Sequence, residues 1–101
     1  MAKWKPETTL GGREPTKRTE ILREADGLIN GDRQAHYGPP AVNFQRIADR
    51  WGMTLGVKIE PWQVCVMMAD LKLARLAQGP HRDSLVDGCG YLALAGELAG
   101  V

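Results

Sequence analysis

The sequence predicts an all-α protein, a bundle of four helices behind an N-terminal arm. Three observations lead there. Apolar residues recur at three- and four-residue spacing in four successive stretches, the signature of a helix with one buried face. Glycine and proline punctuate the chain between those stretches, at Gly31, Gly38-Pro39-Pro40, Gly56 and Gly79-Pro80. No stretch alternates polar and apolar residues as a half-buried strand does, and there is no internal repeat or low-complexity run.

Residues 1–15 hold two prolines, two adjacent glycines and scattered charges, and read as a mobile arm. Residues 16–101 form the helical domain. Trp4 is the one residue of the arm with a reason to dock, on its own domain or on a partner. Residues 16–30 carry Ile21, Leu22, Ala25, Leu28 and Ile29 at helical spacing, with Thr16 or Thr19 as N-cap and Asn30-Gly31 as a stop. Residues 31–40 read as a loop, or as a helix start interrupted at Gly38. Residues 41–55 place Phe44, Ile47, Ala48, Trp51 and Leu55 on one face, with Gln45, Arg46, Asp49 and Arg50 opposite. Gly56 ends that helix, and residues 57–59 are a short extended connector.

Glu60-Pro61 opens the third helix, proline being at home in a first turn. From 62 to 76 it is apolar almost all round, which implies the centre of the bundle or a subunit interface. The fourth helix runs from about Ser84 to Ala99. Its glycines Gly88, Gly90 and Gly96 weaken it but allow close approach of a neighbouring helix.

The composition narrows the function. One hundred and one residues make one small domain, and so small a domain gains from association with a copy of itself. A formal net charge of +1, from thirteen basic and twelve acidic side chains, argues against a protein that coats nucleic acid. The two cysteines, Cys65 and Cys89, sit in apolar helical contexts and read as small buried hydrophobes. The N-terminus lacks the apolar core of a signal peptide, and no run is long enough to span a bilayer, so the expected location is the cytoplasm.

Chemistry-bearing side chains gather in two segments. The first holds Asp32, Arg33, His36, Tyr37 and Asn43; the second holds Asp70, Lys72, Arg75, His81, Asp83, Ser84, Asp87 and Tyr91. Lys72 and Arg75 share one helix face, and Asp83, Asp87 and Tyr91 form a line along the next helix. Lysine and arginine suit phosphate oxygens. Asp83 and Asp87, one turn apart, with Asp70 nearby, suit a partly hydrated Mg²⁺ shared with a phosphate. A purely structural reading stands beside this one. Asp83 or Ser84 caps the helix, and Lys72 and Arg75 form salt bridges with Asp83 and Asp87. There is no P-loop, no zinc-ligand pattern and no familiar Ser-His-Asp spacing.

An ordered string of motifs adds to this reading. It runs R-x-x-H-Y-G from Arg33, N-F-x-x-I-A from Asn43, then Trp51, L-K-x-A-R-L from Leu71 and H-x-D-S-x-V-D-x-x-G-Y from His81. Over about residues 19–98 it resembles a small phage-encoded domain family of unknown function. More distantly it is similar to phage nucleotide-modification-associated domains and to MazG-like all-α nucleoside triphosphate pyrophosphohydrolases. The resemblance implies a MazG-like bundle in which Asp83 and Asp87 match the acidic pair and Lys72 and Arg75 the basic pair. It also implies Mg²⁺ and a triphosphate as ligands. The two glutamates one turn apart that mark MazG proteins have no counterpart here, since neither Asp49 nor Asp70 has an acidic neighbour at that spacing.

The expectation is therefore a phage accessory protein, acting in the cytoplasm of an infected cell, that binds a nucleotide or related phosphometabolite. Lys72 and Arg75 hold phosphate, with Arg33, His81 and Tyr91 around them; His36, Tyr37 and Asn43 close over base or sugar; Asp83, Asp87 and Asp70 hold any metal. Mg-dependent hydrolysis and binding without turnover both remain open at this point. A third reading is a small oligomer acting on a host protein. A homo-oligomer is expected in each.

Overall fold

The computed structural model describes residues 15–101, and the described residues are all-helical, with no strand. The arm expected over residues 1–15, with Trp4, lies outside the described residues apart from Pro15. Thr16 caps the first helix, α1 (Lys17–Gly27), its hydroxyl accepting from the Thr19 backbone N–H. The chain does not stop at Asn30-Gly31 as expected. It widens into a π turn (Leu28–Asp32) and continues as a short helix, α2 (Arg33–Tyr37). Asn30 turns its amide back onto Asp26 Oδ1, 2.7 Å away, so the residue read as a terminator braces the turn before it. The stop is Gly38, at φ 76°, followed by two prolines. Pro39 disfavours the helical conformation at Gly38, which then takes the left-handed one that suits glycine.

Pro40 starts α3 (Pro40–Leu55), which ends at Gly56 in the left-handed conformation. The end turns so tightly that a Cβ on Gly52 would lie 2.7 Å from the Val57 carbonyl oxygen. At the head of α4 (Pro61–Ala74), the Gln63 side chain accepts from the Glu60 backbone N–H at 2.8 Å, one arm of a capping box. A 3₁₀ turn (Arg75–Gln78) then leads to Gly79-Pro80. The last helix, α5 (Arg82–Ala99), starts two residues before the expected Ser84. Its cap is neither Asp83 nor Ser84 but His81, whose Nδ1 accepts from the Ser84 N–H.

Helices α4 and α5 pack on each other more extensively than any other pair; α1 lies along α5 and α3 along α4. The core is Phe44 and Ala48 of α3, Ile59, Val64 and Cys65 at the head of α4, and Leu94 and Ala95 of α5. Near Gly90 the π turn closes in on α5, where a Cβ would lie 3.0 Å from Ile29 Cγ2. The α4 helix is not buried all round, contrary to its composition. Val64, Cys65 and Ala69 are buried, while Trp62, Met67, Leu71 and Leu73 are 39–50% exposed.

Candidate functional site

The π turn and α2 bring the two chemistry-bearing segments together. A cleft of about 390 Å³ opens between the end of α1, the π turn, α2 and α5. Its apolar wall is Ala25, Leu28, Ile29, Val86, Gly90 and Leu94, and its polar groups are His36, Tyr37, Asp87 and Tyr91. Ligand pockets have this make-up, apolar walls with a few convergent polar groups.

Each polar residue is placed by an identifiable local feature. The π turn carries α2 to the edge of the cleft, where His36 and Tyr37 line it together with Asp87 and Tyr91 of α5, the His36 and Tyr37 ring centroids 6.3 Å apart. Tyr37 is 58% exposed, so it does not plug the bundle. Asp87 and Tyr91 are one helical turn apart on α5 and share a face. Phe44, wholly buried, meets the Tyr91 ring edge-on at 6.4 Å, which ties the aromatic lining to the core beneath it.

Lys72 reaches the site through Asp87. Its Nζ lies 3.0 Å from Asp87 Oδ2, with the lysine side chain 14% and the aspartate 32% exposed. This is one of the salt bridges the structural reading anticipated. A cation so little exposed needs a partner, because a lone buried charge costs several kcal/mol. Arg75, one turn along, is exposed and forms no ion pair among the described residues.

The other candidates lie elsewhere. His81 is taken up at the head of α5, where Nδ1 lies 2.8 Å from the hydroxyl of Ser84, the one wholly buried polar side chain among those described. Asn43 is half-buried on α3 and does not line the cleft. Arg33 belongs to α2, but its side chain lies outside the described residues. Asp70 and Asp83 are exposed, and no group of three or more His, Cys, Asp or Glu side chains converges on a metal position among the described residues.

Two features escaped sequence reasoning. Leu28 and Ile29 read as core and turn out to wall the cleft. Arg82 Nη2 bonds Glu24 Oε2 at 2.7 Å and pins α1 to the start of α5. Gly88, Gly90 and Gly96 had signalled a close approach to α5, and of the three it is Gly90 that a neighbour approaches closely.

Among the described residues no helix is long and apolar enough to cross a membrane. No solved structure matches the chain. It is 45% identical over 73 residues to the "Gene 55 protein" of Mycobacterium phage L5, covering 70% of this chain and 47% of that one. It is 42% identical over 72 residues to the "Gene 55 protein" of Mycobacterium phage D29, covering 70% and 48%. The chain therefore spans about half the length of the curated relatives it matches, and both relatives support the phage character read from the motifs. Residues 20–99, from within α1 to the end of α5, match the model of DUF6378, a domain of unknown function, and the chain belongs to that family.

Proposed function

We propose that this domain binds a nucleotide or a related phosphorylated metabolite in the cleft between the π turn, α2 and α5, in the cytoplasm of a phage-infected cell. The observation that carries the reading is the meeting of His36 and Tyr37 with Asp87 and Tyr91 across an apolar-walled cleft. The volume falls within the range of small-molecule sites. The Tyr37 and Tyr91 rings offer faces for a planar base. Lys72 supplies a cation through Asp87: a phosphate entering beside Asp87 competes for its ammonium, and exposed Arg75 adds a second donor one turn away. The same reading takes the bundle as MazG-like, on the strength of the motif string.

Binding is better supported than hydrolysis. Asp87 is already engaged by Lys72, and Asp70 and Asp83 do not join it in a cluster among the described residues. A metal-dependent phosphohydrolase needs several carboxylates to hold its cations.

The test is a thermal-shift panel of nucleosides, nucleoside mono-, di- and triphosphates and cyclic or modified relatives, with and without Mg²⁺. A ligand that binds only the folded state raises the melting temperature by mass action. The expected result is a rise with a phosphorylated member of the panel that does not require Mg²⁺. A rise that requires Mg²⁺, followed by pyrophosphate release, would establish the hydrolase reading instead. No rise across the panel would overturn the proposal and favour a protein partner.

A further inference from the structure

The side of the α4–α5 pair turned away from the cleft is apolar and, among the described residues, uncovered. Successive helical residues are about 100° apart, so Leu85, Cys89, Leu92 and Gly96 lie about 140–180° round α5 from Asp87. Leu85 is 37% and Leu92 53% exposed, with Cys89 half-buried between them and Gly96 half-buried one turn beyond Leu92. On α4, Lys72 turns to the Asp87 side, and Trp62, Val66 and Leu73 lie about 80–120° round from it. Trp62 is 39% and Leu73 50% exposed. None of the named positions is charged, and exposed Asp70 borders the α4 stripe about 40° beyond Val66. Contiguous apolar surface of this kind commonly marks an interaction site.

We propose that a second copy of this chain docks here about a two-fold axis, α5 against α5 and α4 against α4, each pair antiparallel. Two observations select a copy over another partner. The α5 stripe alternates large and small residues at a heptad-like spacing, Leu85, Cys89, Leu92, Gly96. An axis crossing between Cys89 and Leu92 sets Leu85 opposite Gly96 of the partner subunit and Leu92 opposite Cys89 of the partner subunit. Every large side chain then meets a small one, so the stripe is complementary to itself, as a two-fold interface requires.

The α4 stripe is centred at the same height. Lys72 pairs with Asp87, and Val64 and Cys65 share the core with Leu94 and Ala95. That antiparallel register puts the middle of the Trp62–Leu73 stripe within about one residue, ~1.5 Å, of the level between Cys89 and Leu92. One axis therefore serves both helices and brings Trp62 opposite Leu73 of the partner subunit. The four helices of two copies close into a bundle whose core a single chain lacks, and the cleft stays open on the outside.

Sedimentation of the full chain at two concentrations tests this. The expected species has twice the chain mass, and Leu92→Glu and Leu73→Glu each return it to the chain mass with helical circular dichroism unchanged. Leu92→Cys covers the case in which a buried glutamate disturbs folding. Mild oxidation is expected to trap it as a disulfide with Cys89 of the partner subunit, giving a dimer that reduction releases. The same treatment leaves Leu22→Cys, on exposed α1, monomeric on a denaturing gel. A wild-type monomer at both concentrations would overturn the proposal and leave the face to a different protein. A dimer that survives both glutamate substitutions and is not trapped by Leu92→Cys would also overturn it.

Discussion

The two faces of α5 form a contrast within one helix. One carries Asp87 and Tyr91, lines the cleft and is backed by the buried ring of Phe44. The other carries Leu85 and Leu92, and no other described element covers it. Polar chemistry sits where the fold supports it, and apolar surface where none of the described residues buries it. The inner side of α5 is apolar as in any small bundle, with Val86, Leu94 and Ala95 buried, but its outer side is apolar too, where a self-sufficient bundle would be polar. On the proposed reading the helix has two jobs, one on each side.

Substitutions on the two sides should part company, and the largest effect belongs to the supported side. Phe44→Ala removes a wholly buried ring from beneath Tyr91 and is expected to cost about 3–5 kcal/mol in urea denaturation. Gly52→Ala forces a methyl against the Val57 carbonyl and is expected to cost about 1–3 kcal/mol, because backbone has to shift. Lys72→Met strands Asp87 without its partner. The expected loss is about 1–2 kcal/mol, below the cost of breaking a fully buried pair, because Asp87 keeps a third of its surface in water. The double variant Lys72→Met/Asp87→Leu should recover most of that loss if the pair is mainly structural. Tyr37→Ala is the sharpest of the set. At an exposed site it should change stability by no more than about 0.5 kcal/mol, yet weaken ligand binding about tenfold, as read by calorimetric titration.

How much of this was legible in the sequence depends on the range of the interaction. The helices were, because apolar spacing and Gly-Pro breaks are local, and Thr16 was recognisable as a cap for the same reason. The π turn was not. Asn30-Gly31 carries the composition of a stop, but Asn30 finds Asp26 one turn back and the chain runs on to Gly38. His81 was missed as a cap because an imidazole nitrogen here takes the place usually held by a Ser, Thr, Asp or Asn oxygen. His36, Tyr37, Asp87 and Tyr91 were singled out by residue type, but their convergence on one cleft depends on where the π turn sets α2 relative to α5, which no local pattern encodes. The α4 composition announced a helix without a polar side. Only the exposure of Trp62, Met67, Leu71 and Leu73 shows that much of this apolar surface is not covered by the described residues.

The most direct measurement is an amide chemical-shift map of the ¹⁵N-labelled protein titrated with the phosphorylated ligand that gives the largest thermal shift, or with ATP and AMP if none does. Shifts confined to residues 28–37 and 86–91, with Trp62, Leu73 and Leu92 unmoved, are the expected result. No shifts, or shifts centred on Trp62, Leu73 and Leu92, would contradict the assignment of the cleft as the ligand site.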